Sequence, residues 1–77
     1  GVTGVHADLG LTTGDAGEAA LKRIMARAAA ETIVLATADK IGRASPWGVA
    51  PLGQLSTLIT TGERPAWLPA HVAHVAA

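Results

Sequence analysis

Cysteine is absent from this 77-residue chain, as are tyrosine and phenylalanine, and Trp47 and Trp67 are its only aromatic side chains. Without cysteine there is neither a disulfide framework nor a thiolate metal site, and a cytoplasmic protein fits that composition best. So few aromatics exclude a large aromatic core. Abundant alanine and 9 glycines suit close packing of helix on sheet instead. An excess of either charge is also missing: 6 basic and 6 acidic residues cancel and are scattered. No electrostatic footprint for a phosphate backbone emerges, so this segment is not expected to bind DNA directly. The longest apolar stretches are broken by Gly, Pro or charge well before the roughly 18 residues a membrane span needs. The N-terminus lacks a basic region followed by an apolar run, so nothing in the sequence is expected to target it to a membrane.

What is present is enough for one small α/β unit, which buries only a modest share of its surface unless something else covers its sheet. The opening Gly1-Val2-Thr3-Gly4-Val5 has the look of a strand end already in progress, so the chain is expected to be a fragment. His6 to Gly14 then reads as a loop, punctuated by Gly10 and Gly14. Asp15 followed by Glu18 resembles a capping box, which predicts a helix from about Ala16 to Ala30. Leu21, Ile24, Met25 and Ala28 fall at i, i+3, i+4 and i+7 and make one apolar stripe, with Lys22, Arg23 and Arg27 outside it.

Thr32 to Thr37 is a continuous β-branched and apolar run, the pattern of a parallel strand covered on both faces. Ala38 to Ser45 has no period and is expected to be a loop with one short helical turn. Trp47 to Ala50 predicts a short strand ended by Pro51, Leu52 to Leu55 a turn or short helix, and Ser56 to Thr61 a second β-branched strand. From Arg64 the tail is helical in composition, with Pro65 acceptable in a first turn and Pro69 restricting where that helix starts.

Several residues can carry chemistry. Lys40 directly follows the first predicted strand, and in open α/β sheets ligands gather beyond the carboxyl ends of strands. A lysine ammonium there suits a phosphate or carboxylate, although a solvated loop lysine has the same appearance. Glu18 and Lys22, four apart with the acid first, form a helix-surface pair of roughly 0.2–0.5 kcal/mol. They can bind ligand only if the helix N-terminus faces a cleft, where backbone amides and the helix dipole favour anions. Thr12 and Thr13 lead into that helix and can donate to an oxyanion, and Gly10 serves the turn before them. His71 and His74 stand three apart, but no cysteine or nearby carboxylate completes a set with them or His6, so no metal site is expected. Isomerase chemistry needs a carboxylate base, and Asp8, Asp15, Glu18 and Asp39 are the candidates. None is marked as activated by its neighbours. No nucleophile elbow, Walker-type loop or dinucleotide glycine motif occurs.

The order of these short motifs adds what each lacks alone. Gly1-Val2-Thr3-Gly4-Val5, Gly10-Leu11-Thr12-Thr13, Glu18-Ala19 with Lys22-Arg23-x-Met25, Ile33-Val34-Leu35-Ala36, Lys40-x-Gly42-Arg43, Val49-Ala50-Pro51-Leu52 and Leu58-Ile59-Thr60 follow one another over residues 1 to 61. The series resembles the second half of the sugar-phosphate-sensing domain of DeoR-type transcriptional repressors, a relative of ribose-5-phosphate isomerase. Thr37 and Asp39 stand where that family usually has Asp and Ser before its lysine, and Thr61 where it places an aspartate.

The resemblance implies an α/β fold with a three-layer, open, mainly parallel sheet of the Rossmann-like sugar isomerase or CoA-transferase type, present as a fragment. Residues 1–77 would be the C-terminal portion of the effector-sensing domain, with the winged helix-turn-helix outside this chain. A phosphorylated sugar effector is then implied, contacted by Lys40, Glu18, Thr12, Thr13, Lys22 and Gly10. No catalysis, cofactor or membrane partner is implied, DNA is met only through the missing module, and a homo-oligomer is expected. A sugar-phosphate isomerase-like enzyme and a non-catalytic oligomerisation domain with a degenerate pocket remain the alternatives.

Overall fold

The computed structural model describes residues 1–77 as two three-stranded sheets and one helix. The first sheet is antiparallel. Strand β1 (Gly4–His6) pairs with β2 (Gly10–Thr13), and β2 pairs with β4 (Trp47–Ala50). The second is parallel, with β5 (Thr57–Thr60) between β3 (Ile33–Ala36) and β6 (Ala73–Ala76). Helix α1 (Ala16–Ala28) packs chiefly against β4 and β2. The α/β class therefore holds, but the single open, mainly parallel sheet is replaced by one antiparallel and one parallel sheet.

The first difference lies between His6 and Gly14, where a tight hairpin replaces the expected loop. Gly10 adopts φ +74°, a left-handed conformation that side chains resist, and a Cβ there would stand 2.3 Å from the Ala50 carbonyl oxygen. The turn is closed by His6, whose Nδ1 accepts from the Asp8 and Leu9 amides at 3.1 and 3.2 Å. All four residues of β2 are buried. Their Gly-Leu-Thr-Thr sequence carries no polar–apolar alternation because both faces are covered, and that concealed the strand.

Helix α1 begins as its capping residue dictates: Asp15 Oδ1 accepts from the Glu18 amide at 2.8 Å. Its orientation reverses the expectation from periodicity. Ala19 and Ala26 face the core, with Lys22 and Arg23 half-buried beside them, whereas Leu21, Ile24 and Met25 are 59%, 64% and 58% exposed. Small alanines allow close approach to β2 and β4, so the apolar stripe lies on the open side.

Strand β3 is likewise covered on one face only. Val34 and Ala36 point into the core, beside Leu58 and Thr60 of β5 in register, while Ile33 and Leu35 point outward with Val75. The tail departs most from expectation. Residues 61–72 form turns in place of a helix, and the chain ends in β6. Pro65 and Pro69 each remove an amide and exclude a regular helix between them, while Val72 and Val75 favour extended backbone. Arg64 fastens these turns by donating to the carbonyl oxygens of Val72, Pro69 and Leu68 at 2.7, 2.8 and 3.4 Å.

Twelve apolar residues form one core shared by the two sheets, with Val5, Leu11, Leu55, Leu58 and Val72 almost fully enclosed. No helix is long and apolar enough to cross a membrane.

Candidate functional site

The carboxyl ends of the parallel strands define the first candidate site. Thr37, Thr60 and Thr61 line an open depression of about 200 Å³ with Leu35, Ala36 and Ile59. Ala38 to Lys40 form a short 3-10 turn directly beyond β3, so Lys40 lies three residues past the lip at Thr37. Thr61 Oγ1 accepts from the Ala38 amide at 2.8 Å, which ties the turn to the end of β5. Thr60 Oγ1 donates to the Gly62 carbonyl at 2.9 Å and meets His74 Nε2 at 2.7 Å.

Lys40 is partly exposed, and its Nζ lies 3.3 Å from Asp39 Oδ2, the only ion pair in the chain. The Asp39 carboxyl is held below the ordinary carboxylate range, first by a hydrogen bond from the Thr37 side chain and then by Lys40. An exposed lysine of this kind can exchange its neighbouring carboxylate for an incoming phosphoryl or carboxylate oxygen.

The turn then runs back to the antiparallel sheet. Ile41 bridges to Val5, and the Gly42 amide donates to the Val5 carbonyl at 2.7 Å. Ser45 meets Thr3 through its hydroxyl at 2.6 Å and donates its amide to Thr12 Oγ1 at 2.9 Å. Lys40 and Thr12 are therefore joined through the same segment, although their polar groups do not face one another across a cavity.

The other expected site residues are placed as follows. Thr12 is buried, and its hydroxyl is fully engaged, donating to the Gly4 carbonyl at 3.2 Å while accepting from Ser45. Thr13 Oγ1 donates to Glu18 Oε2 at 3.3 Å, linking the end of β2 to the first turn of α1. Glu18 makes no ion pair with Lys22, contrary to the i, i+4 expectation: Lys22 turns inward and donates to the Gly1 carbonyl. Gly10 shapes the hairpin, as above. Among the six, Lys22 alone lines a cavity, an apolar cleft of about 260 Å³ between α1 and β3 that includes Val2, Met25 and Ile33.

A further cleft went unread in the sequence. It holds about 350 Å³ between the β1–β2 turn, the second half of α1 and β4, and its polar lining includes Asp8, Arg23, Arg27 and Gln54. The available signal was the four-residue spacing of Arg23 and Arg27, which places both on one helix face.

The three histidines stay apart in function. His6 closes the hairpin, His71 Nε2 lies 3.1 Å from the Gly53 carbonyl, and His74 meets Thr60. No three His, Asp or Glu side chains converge as a metal-binding group.

Polar side chains and a lysine-bearing turn thus stand at the parallel strand ends, the side of the sheet where open α/β folds take their ligands. The family model described as DeoR C terminal sensor domain matches residues 1–62, and the chain belongs to that family of regulatory sensor domains. Comparison with curated proteins and with solved structures gives no match.

Proposed function

We propose that this chain is the effector-binding part of a DeoR-type transcriptional repressor and that its effector is a phosphorylated sugar metabolite. The observation carrying the reading is the position of Lys40, immediately beyond parallel strand β3, within the segment that matches the sensor family. An ammonium there supplies a charge for phosphate, and Thr37 and Thr61 place hydroxyls at the same strand ends, that of Thr60 being engaged by Gly62 and His74. Glu18, Thr12, Thr13, Lys22 and Gly10 complete the proposed effector set, with Thr12 and Gly10 acting through backbone shape.

Residues 1–77 are proposed to be the C-terminal portion of the sensing domain, with operator recognition residing in a winged helix-turn-helix elsewhere in the regulator. Effector binding regulates only if its affinity differs between the DNA-competent and incompetent arrangements. The proposed role is non-catalytic and cytoplasmic. A homo-oligomer is also proposed: Leu21, Ile24 and Met25 on the helix, with Ile33, Leu35 and Val75 on the parallel sheet, leave apolar faces of the kind that mark protein contacts.

Calorimetric titration of the intact regulator with pentose and hexose phosphates tests the reading, with turnover of the same compounds followed in parallel. Saturable binding without turnover is the expected result. Turnover would establish an enzyme instead, and absence of binding across the panel would leave the domain an association module. Lys40→Ala is expected to weaken effector response about tenfold, or about 1.4 kcal/mol, with operator binding intact.

A further inference from the structure

The largest cavity lies away from Lys40 and is bordered by two arginines that no carboxylate neutralises. Arg23 and Arg27 stand one helical turn apart, an arrangement that costs a few tenths of a kcal/mol through like-charge repulsion when nothing lies between them. Arg23 Nη1 donates to the Gly48 carbonyl at 3.0 Å, which anchors its guanidinium against β4. Its remaining donors are uncommitted. Arg27 makes no side-chain hydrogen bond or ion pair, although a place in the last turn suits its charge to the helix dipole. Both side chains border the same cleft of about 350 Å³, a volume within the range of small-molecule sites.

The orientation of α1 is the second observation. The helix turns Leu21, Ile24 and Met25 outward and places Arg23 half-buried against β4. Arg27, one turn further along, is exposed at the mouth of the cleft. Asp8, the one carboxylate lining the cleft, makes no ion pair, and the Gln54 amide completes its polar rim. Two guanidiniums and one carboxylate therefore border the cleft, leaving one unit of positive charge along its open rim.

We propose that this cleft binds a phosphoryl group, free or as a small monoester, between Arg23 and Arg27. Guanidinium forks match phosphate oxygens in pairs, while Gln54 and Asp8 suit hydroxyls of an attached polyol. The Lys40 turn lies outside the cleft, so this site stands independently of the strand-end effector site and adds a second place where a phosphorylated molecule can act on the domain.

The test is titration of the intact, isotope-labelled regulator with inorganic phosphate, followed by the amide resonances of this segment. Saturable shifts centred on Gly48, Gln54 and the second half of α1 are expected. Arg27→Gln, which breaks no hydrogen bond in the fold, should weaken binding about tenfold, and Arg23→Lys should weaken it while Arg43→Gln, outside the cleft and without a side-chain partner, leaves it unchanged. Absence of saturable shifts by about 10 mM phosphate would overturn the proposal. So would equal affinity in Arg27→Gln with a native spectrum, or loss of binding in Lys40→Ala alone, which would move the phosphate to the strand ends.

Discussion

Thr12 Oγ1 joins the β1–β2 hairpin to a distant segment, because it donates to the Gly4 carbonyl across the hairpin and accepts from the Ser45 amide 33 residues away. Thr12 is 2% exposed, so water does not replace either partner readily. Thr12→Val keeps the shape and removes the hydroxyl, leaving a buried amide and carbonyl to find other partners. A destabilisation of about 1–3 kcal/mol is expected, with Thr12→Ser losing less. Urea unfolding of both variants checks it, and an unaltered midpoint for Thr12→Val would mean that the hydroxyl does not hold β1, β2 and the Ser45 segment together.

Glycine substitutions should separate into two groups. Gly10→Ala demands a left-handed backbone from alanine and drives its Cβ into the Ala50 carbonyl; Gly4→Ala places Cβ 2.5 Å from the Arg43 carbonyl oxygen. Both contacts are with backbone, which cannot rotate away. Gly14→Ala meets nothing within 4 Å and has no positive φ. The first two are expected to destabilise by about 1–3 kcal/mol or more, and Gly14→Ala to be neutral or to stabilise by up to about 1 kcal/mol. Thermal melts of the three variants decide the matter.

These contrasts show where local chemistry was legible and where it was not. Asp15 announced the start of α1, and the runs around Ile33–Ala36 and Thr57–Thr60 announced the strands, because capping and β-branching act within a few residues. The burial of Ala19 in place of Leu21, Ile24 and Met25 was not legible, since periodicity identifies an apolar stripe without saying what covers it. Gly10 was seen as punctuation, but the strand it opens depends on Ala50, forty residues on. Lys40 was placed correctly at a strand end by sequence, whereas the Arg23–Arg27 cleft depends on β4 and the hairpin turn meeting α1, a long-range arrangement.

The two sides of the parallel sheet should respond differently to truncation. Leu58 is fully buried and Leu35, on the adjacent strand, is 61% exposed. Leu58→Ala is expected to cost about 2–5 kcal/mol, and Leu35→Ala to remain within about 0.5 kcal/mol at protein concentrations where the chain is monomeric. A large loss in dilute Leu35→Ala would mean that the outer face is covered within a single chain.

Asp39 titration provides a measure of the Lys40 turn. Its carboxyl is depressed first by Thr37 and then by Lys40. A group depressed in the folded state adds stability above its unfolded value and loses that contribution as pH falls through its folded value. The Asp39 midpoint, followed by side-chain carboxyl NMR, is therefore expected below the usual carboxylate range. Thr37→Val and Lys40→Gln should each raise it. An identical midpoint in Thr37→Val would remove the Thr37 hydroxyl as the main cause.

The Thr60 hydroxyl also determines the proton position on His74. Its single proton is directed to the Gly62 carbonyl at 2.9 Å, so toward His74 Nε2, 2.7 Å away, it can only accept. With the Thr60 proton on Gly62, a neutral His74 ring donates to Thr60 from Nε2. Long-range nitrogen–proton correlation spectra should show the Nε2–H tautomer dominant in the neutral ring. In Thr60→Val the acceptor is lost, and the ring should show a mixed tautomer population. Finding Nδ1–H in the unmodified chain would mean that Thr60 donates to His74 and leaves Gly62 unpaired, the reverse of the hydrogen-bond order at the end of β5.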